Sequence, residues 1–212
     1  MVHDIFQKGL IRGSEKLPFD PEKAYFYVEH PTEKWRVYLR SCCFIHEKPT
    51  DASCIDPMRF VVVKRTGGDL TGKEWEPPKG QMEGKDGLRN PKDSIMDILT
   101  QNITREVAEE SRINNISGLR YTNLFYEGVE SDYKPNTFFH YHIFQALVSK
   151  RELFNASEEL RWCREHPKAF ARMKRDKREK DMISWFSPSS TKLMGKTTPK
   201  LVALYLKKIT GQ

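Results

Sequence analysis

The stretch REVAEE, residues 105–110, decides the fold of this chain. On a helix that turns about 100° per residue, its three glutamates fall within roughly one third of the circumference. Just upstream, an apolar residue recurs every four positions, at Ile95, Leu99, Ile103 and Val107. The glutamates overlap this apolar stripe, although a solvated acidic face would lie opposite the core. Carboxylates on the core-facing side of a helix need compensating positive charge.

A bound divalent cation is one source of that charge for Glu106, Glu109 and Glu110. Ligands that offer only oxygen favour a hard ion, so the pattern predicts a site for Mg²⁺ or Mn²⁺. The alternative is a surface helix whose three carboxylates pair with Arg105 and Arg112. The segment before the helix favours the metal site.

That segment is WEPPKGQMEG, residues 75–84, called the box loop below. Its two prolines predict an extended approach, and Gly80 permits a tight turn. Farther along, Asn90 and Pro91 form a capping residue followed by a proline suited to the first helical position. We therefore expect the helix to begin near Pro91.

Together, the box loop and REVAEE resemble the Nudix box, in which a glycine-containing loop and a helix lead to Arg-Glu-x-x-Glu-Glu. Asp97 stands where the family has a glutamate eight residues before the arginine, and Pro91 stands where it has the glycine. Counted from Gly80 instead, Asp86 takes the glutamate position and eleven extra residues precede the arginine. The resemblance covers the central half of the chain.

Arg112 replaces the glycine that follows the paired glutamates in this family. Glycine there would supply the left-handed residue that commonly ends a helix. We expect Asn114 or Asn115 to take over that role.

The resemblance implies an α/β fold of the Nudix type, an α-β-α sandwich with a mixed and mostly curved central sheet. It also implies roles for site residues. The implied metal ligands are Glu106, Glu109 and Glu110, and the implied catalytic residues include Arg105, Glu109 and Glu110. Arg105 would orient a carboxylate or the Gly80 loop through forked hydrogen bonds. The implied substrate-binding residues in the box loop are Lys79 and Gly80.

Glu179 lies six residues before Trp185. Cellular and viral mRNA-decapping enzymes of the Nudix family carry a glutamate at the matching offset, where it serves as a metal ligand or general base. The resemblance therefore makes Glu179 a candidate catalytic residue. The alternative is that it only balances the basic run around it, and three other glutamates are rival candidates for the base, Glu158, Glu159 and Glu165.

Residues 161–180 carry most of the excess positive charge of the chain. They hold nine basic and three acidic side chains, a net charge of +6 against +7 for the whole chain. One interpretation is a solvated helix face, and the other is a surface that contacts phosphate. On the second interpretation, the predicted RNA contacts are Arg172, Lys174 and Arg175.

With 212 residues, the chain is expected to form one domain with extensions. We assign residues 1–34 to an N-terminal extension and residues 35–212 to a Nudix domain with an enlarged box loop and a basic insertion near 150–180. The four cysteines form no C-x-x-C pair and are interpreted as reduced thiols of an intracellular, cytoplasmic protein. The first residues contain no long apolar run, so no signal peptide or membrane span is expected.

Several segments have the composition of strands. Residues 59–65 form a β-branched run that ends at Gly67-Gly68, and residues 35–45, 119–126, 137–148 and 182–186 are further strands. His140 and His142 alternate with aromatic residues and are interpreted as solvent-facing or hydrogen-bonded sheet residues, or as substrate contacts on an open sheet face. Residues 198–210 are predicted to form an amphipathic helix that packs on the sheet.

The sequence thus predicts a metal-dependent hydrolase that cuts a nucleotide pyrophosphate bond, with the 5′ cap of RNA as favoured substrate. A dinucleoside polyphosphate or inositol pyrophosphate hydrolase is the first alternative, because the Trp-x-Pro-Pro-Lys-Gly loop is similar to that of dinucleoside tetraphosphate hydrolases. A Nudix-fold RNA-binding or assembly protein without turnover is the second. The expected partners are a nucleotide polyphosphate or capped RNA, and no membrane.

Overall fold

The computed structural model describes residues 3–49, 55–65 and 75–211. Within these residues the chain has the predicted mixed α/β fold, with strands alone before residue 84 and both helices and strands after it. The Gly67-Gly68 pair that was expected to end a strand, and Cys54, lie outside the described residues.

Nine strands and five helices occur in the described part of the chain. The strands are β1 (Ile11–Leu17), β2 (Asp20–Glu29), β3 (Arg36–Glu47), β4 (Val61–Arg65), β5 (Trp75–Glu76), β6 (Lys79–Gln81), β7 (Ser117–Gly128), β8 (Thr137–Val148) and β9 (Lys180–Trp185). The helices are α1 (Gly84–Gly87), α2 (Ile95–Ser111), α3 (Lys150–Glu165), α4 (Pro167–Phe170) and α5 (Thr197–Thr210). A short 3-10 helix, Arg175–Arg178, precedes β9.

The strands form two sheets. The larger has the order β1-β2-β3-β8-β7, with β6 also paired to β3, and the smaller has the order β5-β4-β9. The pairs β1/β2, β2/β3, β4/β5 and β4/β9 are antiparallel, and an isolated parallel bridge joins Trp75 to Leu193. Residues 1–34, which the sequence assigned to an extension, supply β1 and β2 of the larger sheet.

The chain divides into two compact units whose segments alternate along the sequence. Unit 1 consists of Met1–Cys42, Gly80–Thr104 and Phe125–His142. Unit 2 consists of Cys43–Lys79, Arg105–Leu124 and Ile143–Gln212. Four elements run from one unit into the other along the chain, namely α2, β3, β7 and β8.

The core of unit 2 is built on β4 and α5. The β-branched run Val61–Val63 is fully buried, which explains why it lacks the alternation of a half-exposed strand. Tyr205 of α5 stacks on Phe44 of β3 with ring centroids 3.7 Å apart, and Phe60 stacks on Phe186 at 4.5 Å. The predicted C-terminal helix therefore does pack on strands through its apolar face.

The core of unit 1 holds the end of the box loop between two strands. The backbone N–H of Met82 donates to the carbonyl of Leu39 at 2.9 Å, and its carbonyl accepts from Phe26 N at 2.8 Å. Gly80 accordingly lies in the extended strand β6, so the expected tight turn at Gly80 is wrong. The glycine whose backbone lies close against another residue is Gly87 of α1, where an added Cβ would lie 2.1 Å from the Phe26 ring.

Helix α2 begins at Ile95, four residues later than the sequence suggested. Ser94 and Asp97 form a reciprocal cap in which Asp97 N donates to Ser94 Oγ at 3.1 Å and Ser94 N donates to the Asp97 carboxylate at 3.2 Å. These bonds satisfy the backbone N–H groups of Ser94 and Asp97 at the start of the helix, which Asn90 lies too far upstream to cap. Asp97 is thus a capping residue.

His140 and His142 are each 1% exposed, so neither faces solvent. His140 instead takes the other part of that interpretation, a hydrogen bond, with its Nε2 2.8 Å from Glu127 Oε2. The described cysteines, Cys42, Cys43 and Cys163, are buried and have free thiols. None of the helices in the described ranges is long and apolar enough to cross a membrane.

Candidate active site

The three box glutamates lie on a face of α2 that is mostly buried, as the overlap with the apolar stripe indicated. The side chains of Glu106, Glu109 and Glu110 are 13%, 20% and 4% exposed. The nearby stripe residues Ile103 and Val107 are at most 1% exposed. The acidic face of the helix is therefore turned toward protein rather than water.

Arg105 binds two of these glutamates through its forked guanidinium. Its Nη1 donates to Glu109 Oε2 at 2.5 Å and its Nη2 donates to Glu106 Oε1 at 2.8 Å. This places one positive charge against two carboxylates through charge-assisted hydrogen bonds. A cation that binds Glu106 and Glu109 must share or replace this guanidinium.

Glu179 lies close enough to Glu106 to affect the pKa of that carboxyl. Burial raises the pKa of Glu106 to about 8, Arg105 opposes the shift, and the charges of Glu110, Glu109 and Glu179 add to it. Two carboxylates on one arginine, with the charge of Glu179 nearby, leave an excess of negative charge. Carboxylate oxygens are the ligand type that Mg²⁺ and Mn²⁺ prefer, and Glu106 and Glu109 offer them on one face of α2. In the described residues, however, the oxygens of Glu106, Glu109 and Glu179 do not all lie within 4.8 Å of one another.

Glu110 has a different environment from the other box glutamates. Its Oε2 accepts the backbone N–H of Lys79 at 2.9 Å, and its Oε1 lies 3.0 Å from Lys180 Nζ. Lys180 Nζ also lies 2.5 Å from Glu76 Oε1, and Lys79 Nζ lies 2.9 Å from Glu76 Oε2. Two carboxylates and two ammonium groups thus form one buried network that anchors the box loop to α2 and β9.

Ionisation in this network follows from its contacts. Burial raises the pKa of Glu76, but the charges of Lys79 and Lys180 outweigh it and hold that pKa below its usual value. Burial likewise lowers the pKa of Lys180, and Glu110 and Glu76 together raise it above normal. The pKa of Glu110 is raised, chiefly by burial, with Lys180 opposing the shift.

Glu76 and Lys180 were not recognised in the sequence. They lie 104 positions apart, and neither belongs to a periodic pattern. The available signal is that each is a charged residue within a short strand, Glu76 in β5 and Lys180 at the start of β9, and this does not specify a partner.

Arg112 connects the end of α2 to the segment that leads to Glu179. Its φ of 62° is left-handed, so Arg112 itself takes the conformation that was expected at Asn114 or Asn115. Its Nη1 donates to the carbonyl of Glu109 at 2.5 Å, and its Nη2 donates to the carbonyl of Lys177. Its Nε lies 3.2 Å from Glu159, and its side chain is 3% exposed.

Asn114 and Asn115 have another role, because their backbone N–H groups both donate to Glu152 Oε1 of α3, at 2.7 and 3.0 Å. The rival base candidates are also paired. Glu159 bonds to Arg112 as described, and Glu158 bonds to Arg161 at 2.5 Å.

The predicted substrate-binding residues occupy two places. Lys79 is mostly buried, with its ammonium group on Glu76, and Gly80 follows it in β6. Arg172, Lys174 and Arg175 are exposed on the short segment between α4 and β9 that also contains Glu179. The predicted basic segment, residues 161–180, therefore contains the last turn of α3, the whole of α4 and the 3-10 helix Arg175–Arg178, and it ends at the first residue of β9.

Several solved structures resemble the chain. The NUDIX domain of Shewanella oneidensis NrtR, solved with ADP ribose, is 10% identical with a TM-score of 0.46, and the match covers 86% of this chain and 94% of that one. A NUDIX hydrolase from Nitrosomonas europaea is 12% identical with a TM-score of 0.43, covering 82% and 88%. A C. elegans Ap4A hydrolase is 12% identical with a TM-score of 0.41, covering 82% and 96%. No family model and no curated protein matches the chain.

Proposed function

We propose that this chain is a metal-dependent hydrolase of the Nudix type that cuts a pyrophosphate bond in a nucleotide. The observation that carries the proposal is the placement of Glu106 and Glu109 on the guanidinium of Arg105, on a largely buried helix face, with the charge of Glu179 near enough to raise the pKa of Glu106. Buried carboxylates in excess over nearby positive charge are costly without a cation. A structural role alone would require no such excess.

Each residue has a role in the proposed reaction. Glu106 and Glu109 hold a Mg²⁺ or Mn²⁺ ion, which when bound neutralises phosphoryl oxygens and lowers the pKa of water. Glu179 accepts the proton of the attacking water, and Arg105 orients the two ligand carboxylates. Glu110 has both oxygens engaged by Lys79 and Lys180, so its part is to hold the box loop in place.

The 5′ cap of RNA is the favoured substrate. Three exposed basic side chains, Arg172, Lys174 and Arg175, precede Glu179 in the same short segment. An RNA whose cap lies at Glu179 would carry its phosphates past these cations, whereas a small dinucleotide has no such tail. This placement favours RNA over dinucleoside polyphosphates and inositol pyrophosphates.

A substrate panel with Mg²⁺ and with Mn²⁺ tests the proposal. Capped RNA, a dinucleoside tetraphosphate and an inositol pyrophosphate are compared with the unmodified chain and with Glu106→Gln and Glu109→Gln. Each substitution keeps the shape of the side chain and is expected to lower kcat a hundredfold or more, on the order of 3 kcal/mol in the barrier. Glu158→Gln, which alters a glutamate paired with Arg161 outside the site, is the matched control.

Absence of turnover with all three substrates would favour the RNA-binding alternative. Turnover that survives Glu109→Gln would place the reaction elsewhere in the chain.

The preference for RNA has its own test. Reversing Arg172, Lys174 and Arg175 to glutamate should weaken binding of capped RNA and reduce its salt dependence by roughly 0.7 in log–log slope per lost phosphate contact. The control is a variant in which three other exposed lysines, Lys196, Lys207 and Lys208, are changed to glutamate, so that the net charge changes by the same amount. Hydrolysis of the dinucleotide should stay unchanged in both. Equal losses on RNA and dinucleotide would assign the basic segment a structural role.

A further inference from the structure

A second group of potential metal ligands lies in unit 1, in residues that the proposed hydrolysis does not use. Glu127 of β7 accepts hydrogen bonds from two histidine rings through a single oxygen. His3 Nδ1 and His140 Nε2 each lie 2.8 Å from Glu127 Oε2. The three ligand atoms all lie within 4.8 Å of one another.

These separations are close to those of a metal-bound set. A tetrahedral ion with ligands at about 2.0–2.1 Å separates neighbouring ligand atoms by roughly 3.3 Å. The two nitrogen–oxygen distances need only lengthen by a few tenths of an ångström to admit an ion. That change is within the reach of small side-chain rotations.

The rings are already held in position by their neighbours. His140 is 1% exposed and stacks on Phe125 with centroids 4.9 Å apart. His3 packs against Phe138 at 4.2 Å and Trp35 at 5.1 Å. The backbone N–H of His3 also donates to Glu127 at 3.2 Å. An ion would therefore meet ligands that are fixed before it binds.

The ionisation of these groups suits a transition metal. Burial lowers the pKa of His140, which favours the neutral imidazole that binds metals. Burial raises the pKa of Glu127, but hydrogen bonds from His140 and His3 outweigh it and keep that pKa below normal. Two imidazoles and one carboxylate are a ligand set for Zn²⁺, in contrast to the oxygen-only set on α2.

We propose that His3, Glu127 and His140 bind one zinc-class divalent ion, with water in the fourth position. Such an ion would join residue 3 to the hairpin strands β7 and β8, and it would replace two hydrogen bonds by coordinate bonds. The site is separate in residues and in ligand chemistry from the carboxylates of α2, so either can exist without the other.

The test is Zn²⁺ binding to the full chain without an affinity tag, in the Glu109→Gln background so that the box glutamates contribute least. Equilibrium dialysis against ZnCl₂, with the metal counted by atomic emission, should give one equivalent per chain. Co²⁺ in place of Zn²⁺ should give the intense visible absorption of a four- or five-coordinate nitrogen and oxygen site.

Three substitutions make the result specific. His3→Ala removes a partly exposed ligand and should lower Zn²⁺ affinity by at least tenfold and abolish the Co²⁺ spectrum. Glu127→Gln keeps the shape and the contacts with both histidines, and should have the same effect while the far-ultraviolet circular dichroism stays unchanged. His30→Ala, which removes another histidine beside Trp35, is the matched control and should bind normally.

Failure of the unmodified chain to retain zinc overturns the proposal, as does equal loss in His30→Ala and His3→Ala. Neither result bears on hydrolysis at the α2 site.

Discussion

Arg112 adopts a backbone conformation that usually belongs to glycine. A φ of 62° costs a residue with a Cβ on the order of 1 kcal/mol or more. Its guanidinium offsets that cost by bonding the carbonyls of Glu109 and Lys177 in a buried position. Because Lys177 lies two residues before Glu179, these bonds fix the approach of the proposed base to α2.

Arg112→Gly separates the two functions of this residue. Glycine accepts the same φ, so the fold should remain, while the loss of the guanidinium should let Glu179 move. We expect kcat to fall on the order of tenfold (about 1.4 kcal/mol) with little change in KM, measured by steady-state kinetics. Asn123→Gly is the control, since Asn123 has a φ of 60° in β7 and should keep full activity. An Arg112→Gly variant with unchanged kcat would refute the positioning role.

Glu110 shows where reasoning from the sequence fails. Repulsion among three glutamates suggests that Glu110→Gln should stabilise the protein without metal, but Glu110 is paired with Lys180 and bonded to Lys79 N. Removing one partner of a buried ion pair costs about 3 kcal/mol or more. We therefore expect Glu110→Gln to lower the free energy of unfolding in urea by about that amount.

A second substitution tests whether the loss of stability in Glu110→Gln comes from the buried charge network. Adding Lys180→Met to Glu110→Gln should cost less than the sum of the two single substitutions, because both remove charges from the same buried network. Glu109→Gln, at a more exposed position on the same helix, should cost much less. A Glu110→Gln variant as stable as the unmodified chain would mean that the network contributes nothing.

Periodicity located Glu106, Glu109 and Glu110 on the buried side of α2, because a helix projects its side chains regularly. It could not reveal that Lys180 lies beside Glu110, because that contact depends on the pairing of β9 with β4. The two strands lie more than a hundred residues apart in the sequence.

The ends of elements depend on local competition between signals. β8 spans Thr137–Val148 as its sequence predicts, because an aromatic and β-branched run leaves no rival structure. At the start of α2 there were two rival caps, Asn90 with Pro91 and Ser94 with Asp97. The second is used, because its side chains satisfy the first donors of the apolar stripe that begins at Ile95.

Ser94→Ala should therefore destabilise the protein by about 1 kcal/mol, the usual cost of losing an N-cap. Asn90→Ala is the matched control, because the exposed side chain of Asn90 donates to Asp93, which precedes the helix. The midpoint of urea unfolding should shift for Ser94→Ala and stay nearly constant for Asn90→Ala. A larger shift for Asn90→Ala would restore the helix start near Pro91.

At the scale of the whole molecule, the resemblance of the box loop and REVAEE to the Nudix box implied the α/β class. Nothing in the sequence indicated the two interleaved units. Strand order in a sheet is set by contacts between distant segments, and no local pattern in β1 or β2 identifies β3 as a neighbour. The N-terminal residues consequently looked like an extension although they supply two strands.

The contribution of His46 to the free energy of unfolding should fall as the pH decreases below about 6.5. Burial lowers the pKa of His46, whose Nδ1 faces the carbonyls of Asp56 and Arg59 and whose Nε2 bonds the hydroxyl of Tyr205. The unfolded chain, with a histidine pKa near 6.5, then binds more protons than the folded chain. One such proton makes the free energy of unfolding increase with pH by up to about 1.4 kcal/mol per pH unit.

Urea unfolding between pH 5 and 8 measures that slope. His46→Gln should make the dependence shallower by up to one proton, whereas His166→Gln, at an exposed site, should leave it unchanged. The same slope in His46→Gln and in the unmodified chain would show that His46 is not responsible.

The alternation of the two units along the chain affects how the protein emerges from the ribosome. Every segment of unit 1 has been translated once His142 is added, but unit 2 still lacks Ile143–Gln212. At about 5–20 residues per second, that remainder takes roughly 4–14 s to synthesise. Until then β4 lacks its partner β9, and the apolar run Val61–Val63 has no strand to cover one edge. β4 is therefore the segment that a chaperone would most need to shield during translation.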